Sequence, residues 1–164
     1  MDQRHTRDTP PPDPEKARAT RRKRALRWAA GREVTPQALH QRLKSWGAEE
    51  AEARDFVGAA VAAGLVDEQR FAEAWVDARR GSRGRRLLGQ ELRERGVGAA
   101  AAARAVASID PGQERAAARA LLARLSPSDL DDPAVRRRAR ARLERRGFSA
   151  GAIQAALGGP AEDT

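Results

Sequence analysis

Three glycines, Gly47, Gly96 and Gly147, sit in matching surroundings, and that repetition sets what the chain can fold into. Eight residues before them stand Leu39, Leu88 and Ala139; four before, Leu43, Leu92 and Leu143. One residue after come Ala48, Val97 and Phe148, and ten after come Val57, Val106 and Leu157. Positions eight and four before the glycine share one helix face, and glycine ends that helix in the left-handed conformation. The apolar residue after it turns the chain into a second helix that returns to the same core. Glycine spacings of 49 and 51 residues make each unit too small to bury a full core alone, so the units are expected to stack.

From Lys16 onward almost everything is compatible with helix. Alanine, leucine, arginine and glutamate dominate, and no window alternates apolar and polar residues with period two. Thr35-Pro36, Asp110-Pro111 and Asp132-Pro133 each read as an N-cap followed by a first-turn proline, and Asp67 as a further N-cap. These signals predict an all-α, elongated tandem array of three-helix, helix-turn-helix-like units. The expected order is a disordered proline-rich tail over 1–16, an N-terminal helix over 17–34 and a first unit over 35–80. A second unit follows over 81–126, then a third, partial one over 127–158 and a tail over 159–164.

Composition narrows the function. The 164 residues carry a formal net charge of +9, and only three of the 32 basic residues are lysine. Such a field favours a polyanionic partner, and arginine suits bidentate contact with phosphate or carboxylate, although arginine-biased codon usage produces the same ratio. With no cysteine and two distant histidines, His5 and His40, neither a disulfide nor a metal centre is expected. No cofactor is expected either. No segment has the apolar length of a signal peptide or membrane span, so a cytoplasmic chain without a membrane partner is expected.

Charge alternates in bands. Residues 36–78 sum to −4, 79–108 to +6 and 134–164 to +4. The central basic band holds Arg79, Arg80, Arg83, Arg85, Arg86, Arg93 and Arg95, and the last holds Arg136, Arg137 and Arg140 among others. These arginines are the candidate contacts for a partner protein or for a phosphate backbone. Gly81-Ser82-Arg83-Gly84 lacks the lysine and hydroxyl of a phosphate loop and marks a helix junction. On the preceding helix Phe71, Trp75 and Ala78 are expected to point inward, leaving Glu73 and Asp77 as an acidic face. No set of side chains assembles into a catalytic constellation. The second helix after Gly96 is nearly all alanine, which excludes reading of base edges but not unspecific DNA contact.

The stretch Leu65–Val97 closely resembles the signature of the RecX family of bacterial recombination regulators. The matching residues are Leu65, Val66, Asp67, Arg70, Phe71, Ala72, Trp75, Val76, Arg79, Gly84, Glu91, Leu92, Gly96 and Val97. The resemblance extends over residues 23–158 in general layout. It implies a monomeric, non-enzymatic protein that binds RecA recombinase and the RecA–DNA filament and restrains ATP hydrolysis, strand exchange and co-protease activity in DNA repair. The alternative is a protein that coats single- or double-stranded DNA and competes with the recombinase. Trp75 stands where phenylalanine is commoner in the family.

Overall fold

The computed structural model describes residues 13–158, and within them the secondary structure is helical throughout. The α-helices are α1 (Pro14–Ala29), α2 (Pro36–Ser45), α3 (Glu50–Ala62), α4 (Glu68–Asp77), α5 (Arg85–Glu94), α6 (Ala99–Ala107), α7 (Pro111–Leu121), α8 (Pro133–Arg145) and α9 (Ala150–Ala156). A 3-10 turn at Ser128–Asp131 precedes α8. The N-caps form as the sequence implies. Thr35 accepts from the Ala38 amide, Asp67 from Arg70, Asp110 from Gln113 and Asp132 from Ala134. Helix α1 starts at Pro14, capped by Asp13, so the expected tail is helical from residue 14. The remaining tail positions, 1–12 and 159–164, lie outside the described residues.

Gly47, Gly96 and Gly147 all have positive φ, between 75° and 80°, and end α2, α5 and α8. At these ends the amide of the following residue, Ala48, Val97 or Phe148, donates back to the carbonyl of Leu43, Leu92 or Leu143. The positions eight and four before each glycine and one after are buried in all three copies. The position ten after is not uniform: Leu157 is buried, while Val57 and Val106 are half-buried. The residue that anchors the third helix in every copy lies six after the glycine, at Ala53, Ala102 and Ile153.

Three separate cores define the units, and they correct the expected boundaries by one helix. Ala25 of α1, Leu39 and Leu43 of α2, and Ala53 and Ala60 of α3 form the first. Ala72 and Val76 of α4 join Leu88 and Leu92 of α5 and Ala101, Ala102 and Ala105 of α6 in the second. Ala117 and Ala118 of α7, Ala139 and Leu143 of α8, and Ala152, Ile153 and Ala156 of α9 form the third. Each unit therefore begins one helix before its repeated glycine helix, and the third unit is complete rather than partial. The strongest helix packing in unit three joins α7 to α9, which the boundary expected at residue 126 separates.

Unit one closes with an ion pair that makes its stability depend on pH. Glu52 of α3 is buried and receives two bonds from Arg21 of α1, at 3.0 Å from Nε and 2.6 Å from Nη2. The Arg21 hydrogen bond holds the Glu52 carboxyl below the usual carboxylate range. A carboxyl whose folded pKa is depressed stabilises the fold above the unfolded value, about 4.3, and that contribution disappears as pH falls toward the folded value. The Glu52→Gln chain should therefore lose less stability than the unaltered chain between pH 5 and the acid limit. Urea midpoints across that range measure the difference, and parallel profiles would exclude this role for the pair.

Candidate functional site

The arginine-rich stretch after α4 is where unit two meets unit three, and its backbone makes the seam. At the start of α5 the Gly84 amide donates to Arg146 O at 2.8 Å and the Arg86 amide to Gly147 O at 3.1 Å. Free N–H groups at one helix end thus satisfy free carbonyls at another, with the two helix dipoles in favourable head-to-tail sense. The first seam repeats the arrangement with side chains. Thr35 Oγ1 donates to Arg95 O at 3.0 Å, and the Gln37 side chain lies over Gly96. Arg70 reaches back across it to Glu33 at 2.8 Å.

Much of the central basic band is committed to this architecture. Arg85 bonds Ile109 O and stands 3.7 Å from the Glu114 carboxylate, while Arg86 donates to Glu144 O at 2.6 Å. Arg83 pairs with Glu91 at 3.1 Å, and Glu91 also accepts from Trp75 Nε1 at 3.0 Å. The guanidinium carbons of Arg79 and Arg95 lie 3.3 and 3.7 Å from the centroid of the Trp75 ring. Arg80 pairs with Asp77 at 3.6 Å and Gln113 at 3.3 Å. Of this group Arg79 and Arg93 make no side-chain hydrogen bond among the described residues; Arg79 rests on the Trp75 ring instead.

The expected inward stripe of α4 needs correction. Ala72 and Val76 are the buried residues. Phe71 and Trp75 are half-buried, stacked on each other with centroids 5.9 Å apart, and Ala78 is exposed. The small residues let α4 approach α5 and α6, and the rings ride on the rim where Trp75 meets Glu91. Glu73 and Asp77 do face outward. Of the other signature residues, Leu92 is fully buried, and Gly84 sits where a side chain would strike the backbone of Phe148.

Around this seam the arginines with uncompensated charge are concentrated on α8, which has six arginines and one glutamate over Pro133–Arg145. Arg137, Arg138, Arg140, Arg142 and Arg145 are exposed and form no ion pair among the described residues; Arg136 is half-exposed. Helix α8 ends at the seam, so these charges flank it. On one side Arg142, Arg145 and Arg146 line a cleft with Arg83, Leu87 and Glu91. On the other, Arg140 and Glu144 line a second cleft with Arg85, Arg86 and Phe148. Arg142 and Arg145 belong to the last basic band of the sequence but are not among the contacts expected from it. Their signal was the repeat register: Ala139 and Leu143 fix the buried face of α8, and residues five and two before Gly147 fall off it. The arrangement can grip an extended polyanion or a carboxylate-rich protein face.

Among the described residues no helix is long and apolar enough to cross a membrane. The model of the RecX second three-helix domain matches residues 67–106, which is unit two, α4 to α6. The regulatory protein RecX of Streptomyces coelicolor is 37% identical over 164 aligned positions, covering 94% of this chain and 85% of that protein. That of Thermobifida fusca is 48% identical over 92 positions, 54% of this chain and 50% of its own length. The crystal structure of RecX from Lactobacillus salivarius superposes with a TM-score of 0.79 at 16% identity, covering 87% of this chain and 96% of that one. Signature, unit architecture and a relative aligned over almost the whole length agree: this chain belongs to the RecX family of regulatory proteins.

Proposed function

We propose that the protein binds RecA and the RecA–DNA filament and restrains the recombinase, lowering ATP hydrolysis, strand exchange and co-protease activity. Contact runs along α8 on both sides of the seam between units two and three, where Arg137, Arg140, Arg142 and Arg145 offer guanidinium groups with no internal ion pair. That uncompensated charge carries the reading, because a charge already paired inside the fold has less to offer a partner. Of the arginines expected from sequence, Arg93, Arg136, Arg137 and Arg140 belong to this free set. Arg79, Arg80, Arg83, Arg85, Arg86 and Arg95 support it from behind. Glu73 and Asp77, exposed on α4, supply a second contact for a basic surface of the recombinase.

The test is charge reversal on α8. Replacing Arg137, Arg140, Arg142 and Arg145 with glutamate is expected to weaken inhibition of single-strand-dependent RecA ATPase by at least about 100-fold. Removing several exposed charges from a steered polyanion contact typically has effects on that scale. Helical circular dichroism should not change, because all four side chains point away from the third core. Unchanged inhibition by a folded variant would exclude α8 as the contact. Capture of RecA after nuclease treatment is expected to persist; its loss would favour competition for DNA instead.

A further inference from the structure

Two clefts flank the seam between units two and three, and they differ in how much of their positive charge is already paired. In the cleft beside Phe148, Arg85 is held by Ile109 O and Glu114 and Arg86 by Glu144 O, which leaves Arg140 as its one arginine without a partner among the described residues. The opposite cleft, about 440 Å³ in volume, gathers Arg83 and Leu87 from unit two and Arg142, Arg145 and Arg146 from unit three. Its one carboxylate is Glu91, so four guanidinium groups face one acid, a net charge of +3.

Glu91 does little to offset that charge, because it is tied to its own unit. Its Oε2 accepts from Trp75 Nε1 at 3.0 Å and pairs with Arg83 at 3.1 Å. Arg146 donates across the seam to Ser82 O at 3.1 Å. Arg142 and Arg145 are exposed and make no side-chain hydrogen bond or ion pair among the described residues. Three residues apart on α8, they share a helix face, and that face borders the cleft opposite Arg83. The carbonyl end of α8 would by itself repel an anion. It is docked on the amide end of α5, through Gly84 N to Arg146 O and Arg86 N to Gly147 O, so the two dipole ends offset each other.

We propose that this cleft is a binding site for a compact polyphosphate, a diphosphate or triphosphate chain carried by a nucleotide or present as the free inorganic ion. Arginine takes phosphate oxygens in bidentate pairs. A terminal phosphate carries a charge of about −1.5 to −2, and each further phosphate adds to it within the same small volume. That density matches guanidinium groups converging from two sides. A backbone diester presents its charges strung along a line and suits the outer row of α8 better than a cleft. The lining holds no aromatic ring for a base to stack on, so the phosphate chain is the group recognised. Held by Arg83 from one side and α8 from the other, the ligand clamps unit two to unit three. It also occupies Arg142 and Arg145, and therefore weakens the hold on RecA, a consequence that rests on the contact proposed above.

Calorimetric titration of the full chain with sodium tripolyphosphate at fixed ionic strength is expected to give one site per chain, with sulfate at least about tenfold weaker. Arg142→Ala with Arg145→Ala should weaken binding about 30-fold or more, since each change removes a charge-assisted contact. Arg137→Ala with Arg140→Ala should retain it. Both pairs are exposed on α8, and circular dichroism verifies that each variant keeps its helices. Hydrogen exchange at the Gly84 and Arg86 amides, whose bonds cross the seam, should slow when tripolyphosphate is added. ATP separates the two sources: tighter binding than tripolyphosphate names a nucleotide, and equal or weaker binding names the inorganic ion. Several equivalent sites per chain, equal affinity for sulfate, unchanged exchange at the seam amides, or binding that survives the Arg142 and Arg145 substitutions overturns the proposal. An oligonucleotide that binds the cleft more tightly than tripolyphosphate at equal phosphate concentration would make it a backbone contact and overturn it too. None of these readouts contains RecA, so their failure leaves the recombinase contact standing. If they succeed while capture of RecA is undiminished by tripolyphosphate, the contact at Arg142 and Arg145 fails instead.

Discussion

Replacing Gly84 with alanine is expected to open the seam between units two and three and to destabilise the chain by about 3 kcal/mol or more. The effect is steric alone. Gly84 has φ −82°, which alanine adopts freely, so the backbone conformation costs nothing. A methyl group there overlaps Gly147 O and the N and Cα of Phe148, all backbone atoms that cannot swing aside. Gly81→Ala is the matched control, since nothing lies within 4 Å of its Cβ position. Gly47→Ala and Gly147→Ala extend the comparison. Both meet the left-handed backbone cost of about 1–2 kcal/mol, but only Gly147 also strikes the neighbouring unit, at Leu87. Hydrogen exchange at the Gly84 and Arg86 amides reports the seam itself, because both bonds cross it. A Gly84→Ala chain that melts with Gly81→Ala and keeps those amides protected would show that the units are held by something other than this contact.

The seam also explains which parts of the molecule could be read from sequence. Local signals were enough for the caps at Thr35, Asp67, Asp110 and Asp132 and for the glycine stops, because each is decided within one turn of helix. The repeated leucines were enough for the middle helix of each unit. Unit membership was not local. A repeat marks its most distinctive helix, and in this chain that is the second of three, so counting from it shifted every boundary. The flanking helices bury alanine, at Ala53, Ala102, Ala117 and Ala118, and buried alanine cannot be distinguished from surface alanine in so alanine-rich a sequence. The basic band misled for a related reason. The groups that occupy Arg85 and Arg86 lie far along the chain, Glu114 at a separation of 29 residues and Glu144 at 58, so no local window contains them. Free charge and structural charge look alike until partners are placed, which is why α8 rather than the central band is the exposed cationic surface.

Glu114→Ala is expected to be as damaging as the seam glycine, at about 3–5 kcal/mol, although Glu114 touches no proposed partner. Its carboxylate is 3% exposed and serves two units at once. From unit three it accepts from the Ser149 amide at 3.2 Å and the Ser149 hydroxyl at 2.8 Å, fixing the start of α9. From unit two it accepts from the Arg85 amide at 3.1 Å at the start of α5, and it stands 3.7 Å from Arg85 Nε, a buried atom with no hydrogen bond of its own. Alanine leaves all these donors, and the charge of the half-buried Arg85, without this partner. Glu114→Gln keeps one acceptor but loses the charge and should fall between. Glu68 offers the internal comparison: its carboxylate accepts from the Gly98 amide at 3.0 Å, inside unit two and at the surface, so Glu68→Ala should cost only about 1 kcal/mol. Thermal melts rank the three variants, and equal losses for Glu114→Ala and Glu68→Ala would refute the bridging role. The functional consequence follows from position. Glu114 sets the angle between α5 and unit three, and with it the alignment of Arg142 and Arg145 against Arg83. The proposed restraint of RecA should therefore weaken in Glu114→Ala at temperatures where the separate cores still hold their helices, since a charge pattern spread over two units works only while those units keep one orientation.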